Sequence, residues 1–172
     1  TYHEYLNVSD DDRIDVGLAV ALTRKKKGTT RVWLLIIGPS GDWKSVQLTA
    51  LSDKGIDHNT FFIRKLTKST LVSGNPKVKD LAPQLDGKLV LIPEMASILK
   101  LDPKEKAAIW AQLRDLFDGI AGGQYGSGKK VDYTGLHITL MMGSTPVIDS
   151  QILIHQDLGQ RELCFRTNPL DS

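Results

Sequence analysis

Two stretches of this 172-residue chain set glycines ahead of a lysine at the spacing used to hold phosphate. The first is GPSGDWKS, residues 38–45, and the second is GQYGSGKK, residues 123–130. A loop of Gly, four residues, Gly, Lys and then Ser or Thr turns successive backbone N–H groups toward an anion at a helix N-terminus, while the lysine adds charge and the hydroxyl a magnesium ligand. The first stretch keeps Gly38, Gly41, Lys44 and Ser45, but Trp43 stands where the last glycine is usual. A side chain there must point away from the phosphates. The second keeps Gly128 and Lys129 and ends on Lys130 in place of a hydroxyl. A plainer reading of the first stretch is a tight GPSG turn.

The flanking elements decide between them. VWLLII precedes GPSGDWKS and SVQLTALSD follows it, so the loop joins a strand to a helix, as the chemistry requires. AGG precedes GQYGSGKK and KVDYTG follows, a short strand ending in a turn. Residues 122–135 therefore read as a glycine-rich hairpin with Lys129 and Lys130 at its tip. Strand-like runs fall at 31–38, 60–66, 88–92, 136–142 and 162–166, several apolar without alternation, as strands covered on both faces are. A first helix is expected over about 10–27, with Ile14, Leu18, Ala21 and Leu22 at helical spacing, Asp10 to Asp12 at its start and Arg24 to Lys27 at its end. That basic run reads either as cations complementing a helix C-terminus or as a nucleic-acid patch. A second helix starts at DPKE, with Asp102 as N-cap, Pro103 in the first turn and Glu105 completing a capping box, and runs to about Phe117 with Ile109, Leu113 and Leu116 toward a core. Strands alternating with helices imply an α/β domain on a mostly parallel five-stranded sheet flanked by helices.

Composition bounds the function. The length suits one domain, and a formal charge of +2 with a pI near 8.6 neither indicates nor excludes nucleic acid. Cys164 is the single cysteine, so no internal disulfide or zinc cluster can form, which fits a reducing interior, and its strand reads as core packing. No apolar run approaches a membrane span and no signal peptide opens the chain, so a cytoplasmic protein without a membrane partner is expected. The chain does not begin with Met and ends on RTNPLDS, which reads as a piece of a larger polypeptide. The histidines, His3, His58, His137 and His155, are scattered without metal-ligand spacing, and no G-x-S-x-G elbow occurs. Asp115 and Asp118 receive no chemistry.

Taken in order, these stretches resemble AAA+ P-loop ATPases of the pre-sensor-one hairpin group, which holds superfamily-three and MCM-like helicases and the ATPase cores of phage and plasmid primase-helicases. GPSGDWKS resembles Walker A, which implies that Gly38, Pro39, Ser40, Gly41, Asp42, Trp43, Lys44 and Ser45 bind ATP. KLVLIPE, residues 88–94, resembles Walker B, with Pro93 and Glu94 where the family has an acidic pair; Glu94 then acts on water and, with Ser45, on Mg2+. HITLMMGST resembles the sensor-one strand, its polar end being Ser144 or Thr145. The hairpin ahead of it corresponds to the insertion that, in relatives, lines the channel of a ring and touches nucleic acid, a role that would fall to Lys129 and Lys130. LGQRELCFR places Arg161 as the arginine reaching a neighbouring subunit's γ-phosphate, with Arg166 as runner-up; the plainer reading of Arg161 is a pair with Asp157 or Glu162. Such a finger is worth roughly 10³ to 10⁵ in rate. The helical lid that follows the last core strand in the family is missing.

The resemblance implies an ATP-hydrolysing motor, a DNA helicase or translocase core of a viral, phage, plasmid or other mobile-element replication protein, working as a homo-oligomeric ring, a hexamer. Two alternatives stay open on the residues: a degenerate P-loop module that binds nucleotide or nucleic acid without efficient turnover, motivated by Trp43 and Pro93, and a P-loop small-molecule kinase.

Overall fold

A computed structural model of the chain describes residues 11–24, 31–51, 59–151 and 161–167. Five parallel strands form the central sheet: β1 (Trp33–Ile37), β2 (Thr60–Phe62), β3 (Leu89–Ile92), β6 (Thr139–Ser144) and β7 (Glu162–Arg166), in the order β2-β3-β6-β1-β7. β4 (Ala121–Gln124) and β5 (Lys130–Tyr133) pair antiparallel in a separate hairpin. The helices are α1 (Asp11–Thr23), α2 (Lys44–Ala50), α3 (Ala96–Leu99) and α4 (Pro103–Phe117). The expected α/β architecture is therefore observed, and the sheet is parallel throughout. No helix of the described residues is long and apolar enough to cross a membrane.

Every residue of β1, β3 and β6 is buried, because helices cover both faces. Leu34 and Ile36 of β1 join Leu89, Leu91 and Met141 under Val20 of α1 and Leu48 of α2. Their alternates Trp33, Leu35 and Ile37 face the other way, onto Ile98 of α3 and Ile109, Trp110, Leu113 and Leu116 of α4. Asp102 caps α4 as its sequence predicts, its Oδ1 accepting the N–H groups of Lys104 at 2.9 Å and Glu105 at 3.1 Å. Phe117, at the last turn, sets its ring edge-on to Trp33 with centroids 5.2 Å apart.

Two elements depart from the sequence expectation. In α1 the buried face is Arg13, Gly17 and Val20, continued by Arg24 just past its end, whereas Leu22 is 61% exposed and Ile14, Leu18 and Ala21 are half-buried. The helix turns Arg13 inward because it has a buried carboxylate to meet and Gly17 lets α2 close in: a Cβ at 17 would lie 2.8 Å from Gln47 Nε2. β7 is an edge strand rather than core, with Leu163 58% exposed and Cys164 exposed. Burial of its sulfur, followed by the charge of Glu162, still pushes the Cys164 thiol up. The basic run 25–27, Asp10, Asp157 and the loop residues 158–160 lie outside the described residues.

Candidate functional site

The GPSGDWKS loop leaves β1 at the carboxyl end of the sheet, where open parallel sheets bind ligands. Two neighbours fix its root: Gly38 N–H donates to Ser144 O at 3.1 Å, and Thr167 N–H donates to Ile37 O at 2.9 Å. Gly41 has φ 85°, and Trp43, the residue before α2, has φ 52° and ψ 7°. Trp43 thus takes the left-handed conformation for which glycine is the ordinary choice, at about 1–2 kcal/mol of strain. Its carbonyl accepts the first bond of α2, from Gln47 N–H at 2.9 Å, and its indole is 46% exposed. The backbone conformation of the pattern survives the missing glycine. Lys44 opens α2, and its buried Nζ donates to Gly38 O at 2.8 Å and Pro39 O at 2.5 Å. Burial lowers the Lys44 pKa, with Arg13 adding to the effect and Asp42 and Glu94 opposing it.

Asp42 anchors the loop from beneath. It is 3% exposed, accepts Arg13 Nη1 at 3.2 Å on Oδ1, and takes a short bond from the Thr167 hydroxyl on Oδ2. Arg13 also donates to Asp42 O at 2.9 Å, and Gln47 Nε2 donates to Arg13 O at 2.7 Å. α1, the loop, α2 and the end of β7 are thereby joined through one buried ion pair. A Cβ on Gly38 would fall onto Thr167 Oγ1 and the Asp42 carboxylate, so that glycine serves packing at the loop root. Sequence reasoning missed Arg13, Gln47 and Thr167, which lie 29, 5 and 125 residues from Asp42 and share no motif with it.

A cleft of about 290 Å³ opens over the loop, lined by Ser40 to Val46, Glu94 and Thr145. β6 lies between β1 and β3, so the strand ends bearing the loop and Glu94 stand about 10 Å apart, two sheet spacings. Lys44, Glu94 and Thr145 all border this cleft. Glu94 is exposed, and its Oε1 accepts Ala96 N–H at 2.8 Å, which aims the carboxylate. Ser144 is buried, its hydroxyl turned to Thr145 O at 3.2 Å, so of the two sensor candidates Thr145 alone borders the cleft. Gly143 lets β6 pass the turn at Pro93, since a Cβ there would lie 2.5 Å from Pro93 O. Compared with models of protein families and with curated proteins, the chain has no match. The site rests on its own geometry.

The remaining candidates are not gathered here. β7 runs parallel to β1 with Glu162 beside Trp33 and Arg166 beside Ile37, so Arg161 sits at the amino end of the sheet, away from its own loop. It is held by Asp118, Nε to Oδ1 and Nη2 to Oδ2 both at 3.2 Å, and lies 5.9 Å from the Phe117 ring centre. Asp118, given no chemistry from sequence, is thus its partner. Arg166 stands at the loop end of the strand, gripped by Asp149 at 2.9 and 2.7 Å, a bond that raises its pKa.

The expected hairpin is present, but Lys129 is not at liberty on its tip. Its Nζ reaches both oxygens of Asp80, at 2.8 and 2.9 Å, and Ser73 O at 2.7 Å. Asp80 also accepts Tyr133 OH at 2.8 Å and Ser73 N–H at 2.7 Å. Burial pushes the Asp80 carboxyl up, yet the bonds from Lys129, Ser73 and Tyr133 outweigh it and hold the carboxyl below its ordinary 3.8. Lys129 is therefore a clamp between the hairpin and residues 73–80, because a buried carboxylate needs a cation more than the surface does. Lys130 stays exposed.

Proposed function

We propose that the chain binds ATP through residues 38–45 and hydrolyses it, as the core of an AAA+ motor of the pre-sensor-one hairpin group acting on DNA. The observation that carries the reading is the meeting of Lys44, Ser45, Glu94 and Thr145 in one cleft at the carboxyl ends of three parallel strands. Phosphate oxygens offer Lys44 the charge partner that the Gly38 and Pro39 carbonyls do not supply, so the ammonium exchanges acceptors on binding. No group of three or more His, Cys, Asp or Glu among the described residues could cage a metal. Magnesium takes few protein ligands and shares itself with phosphates; Ser45 and Glu94 would hold it, and it would supply charge against the developing phosphoryl negative charge. Glu94 Oε2, with Oε1 fixed by Ala96, orients water, and the Thr145 hydroxyl supports it.

ATP turnover by the full chain, with and without single-stranded DNA, tests this. The expected result is magnesium-dependent turnover that rises with DNA, lost in Glu94→Gln while nucleotide binding persists. Glu94→Gln turning over at the normal rate removes Glu94 from the mechanism.

The ring belongs to the same proposal. Arg161 must exchange Asp118 for a neighbour's phosphate to act as a finger, and Arg166 must likewise leave Asp149. Mixing Arg161→Ala with Lys44→Ala subunits is expected to restore turnover that each lacks alone; restoration with Arg166→Ala but not Arg161→Ala moves the role to Arg166. One observation favours the second reading, binding without efficient turnover. Among the described residues, the one other carboxylate lining the cleft, Asp42, is already bound to Arg13 and Thr167.

A further inference from the structure

Between β2 and the Ala82–Leu85 turn the chain runs without helix or strand, and its composition is lopsided. Residues 64–79 hold Arg64, Lys65, Lys68, Lys77 and Lys79 and no carboxylate. The whole chain is only +2, so the rest of it is net negative. All five side chains are exposed, and none forms an ion pair among the described residues. The acid that follows, Asp80, is already neutralised by Lys129.

This segment is held on a fixed path. Ile63, Leu66, Leu71 and Val72 are buried between the cations, Leu81 and Ala82 N–H both return to Leu71 O at 3.0 and 2.9 Å, and Gln112 of α4 donates to Lys68 O at 2.6 Å. The hairpin docks onto its second half. Besides the Lys129 clamp, Ser127 bonds Gly74 O, and a Cβ at Gly74 would lie 2.8 Å from the Tyr125 ring. Lys77 and Lys79 lie in the stretch between Gly74 and Asp80, both of which the hairpin carrying Lys130 grips, and Arg64 and Lys65 follow the carboxyl end of β2, which pairs with β3, the strand two residues ahead of Glu94.

We infer that residues 64–79 and Lys130 form one continuous track for the sugar-phosphate backbone of a nucleic-acid strand, with Lys129 as its internal brace rather than a direct ligand of the strand. The inference rests on the reading of the chain as a DNA motor and names the surface that would hold the DNA. Uncompensated cations on a pinned backbone suit a polyanion of regular charge spacing, since each neutralised phosphate releases a counterion and little ordering is required of the protein.

The test is the binding of a fluorescent oligothymidylate to the full chain across a salt series. Three variants are compared: a quintuple Gln variant at Arg64, Lys65, Lys68, Lys77 and Lys79, the same four lysines changed to Arg, and the double variant Lys77→Gln, Lys79→Gln. The slope of log affinity against log salt is expected to fall by about 0.7 for every phosphate that loses its cation, with affinity at least about tenfold weaker in the quintuple variant, while the Arg variant stays at wild type. The double variant gives an intermediate slope and secures the result should the quintuple fold poorly. Unchanged slope in both Gln variants, with wild type binding, overturns the inference and leaves the motor reading standing. Absence of wild-type binding overturns the track and the DNA part of that reading, and ATP turnover then reports on the nucleotide site separately. Displacement of the oligonucleotide by polyglutamate of equal charge as readily as by unlabelled oligonucleotide overturns the choice of nucleic acid as partner.

Discussion

GPSGDWKS and GQYGSGKK share two glycines and a lysine at the same spacing, and the molecule uses the two lysines in opposite ways. In the first, the lysine folds over its own loop and touches only two backbone carbonyls, Gly38 O and Pro39 O, beside an open cleft. In the second, the lysine ends in a buried carboxylate and makes three bonds that fasten a hairpin to the body of the domain. The first lysine bonds neutral carbonyls at the edge of a cleft; the second is paired with a buried carboxylate and a carbonyl. The difference lies in what surrounds each stretch. A buried strand and a helix frame the first, whereas two short strands pairing antiparallel frame the second. Glycine-lysine spacing is thus a property of a string, and phosphate binding is a property of a strand-to-helix turn.

The sharpest way to break this contrast is to remove each lysine. Lys44→Ala is expected to reduce ATP affinity and turnover by orders of magnitude with little change in urea midpoint, because the side chain contributes two bonds to carbonyls that water can replace. Lys129→Ala is expected to do the reverse: near-normal nucleotide affinity, with stability reduced on the order of 3 kcal/mol because Asp80 is left buried without its cation. Calorimetric ATP titration and urea denaturation of both proteins decide it, and equal nucleotide losses would falsify the assignment of the two loops.

Acid should find the clamp next. The folded Asp80 pKa is depressed, so its stabilisation is present in full above the ordinary value of 3.8 and disappears as pH falls through the lower folded value. Wild type should therefore be more stable than Asp80→Asn at pH 6, and the gap should narrow steadily below pH 3.8. A gap that is constant with pH would show that Asp80 acts through shape and not charge. At the alkaline end Tyr133 points the same way. Its bond to Asp80, then burial, raises its pKa, so that contribution holds below the ordinary tyrosine value of 10.0 and fades as pH climbs through the higher folded one.

The glycines sharpen the comparison further. Gly38→Ala puts a Cβ onto Thr167 and Asp42 and should lower the thermal midpoint by the equivalent of about 1–3 kcal/mol, as overpacking does, and weaken ATP binding. Gly128→Ala meets open space at φ 81° and should lose only about 1 kcal/mol, all of it backbone strain, with nucleotide binding untouched.

The smallest effect is the most specific. Trp43→Gly exchanges a strained left-handed residue for the one that adopts that conformation freely, so relief of about 1–2 kcal/mol is partly offset by glycine's extra chain entropy of about 0.5–1 kcal/mol. A net gain near 0.5 kcal/mol is expected, with ATP affinity unchanged or improved; loss of affinity in this variant would give the exposed indole a direct part in nucleotide binding.

Much of this can be read along the chain, because it is local. An apolar run without alternation becomes a strand covered on both faces, Asp-Pro-Lys-Glu caps a helix, and a strand-glycine-lysine-helix sequence makes a turn at the carboxyl edge of a sheet, wherever the rest of the chain goes. The choice of residues 38–45 over 123–130, the hairpin and the five-stranded α/β plan all follow from neighbours within a dozen residues. The partners of charged groups do not. Asp42 is met by Arg13 and Thr167, Lys129 by Asp80, and Arg161 by Asp118, at separations of 29, 125, 49 and 43 residues, and a side chain's charge carries no mark of which distant carboxylate will share its burial. The buried face of α1 is hidden from the sequence for the same reason: a helix buries the side that its neighbours complete, and here that side begins with arginine. Sequence determined which glycine-lysine stretch joins a strand to a helix; only the packing of β6 between β1 and β3, and of the hairpin on residues 73–80, decided what stands opposite that loop and which lysine is drawn onto a buried carboxylate.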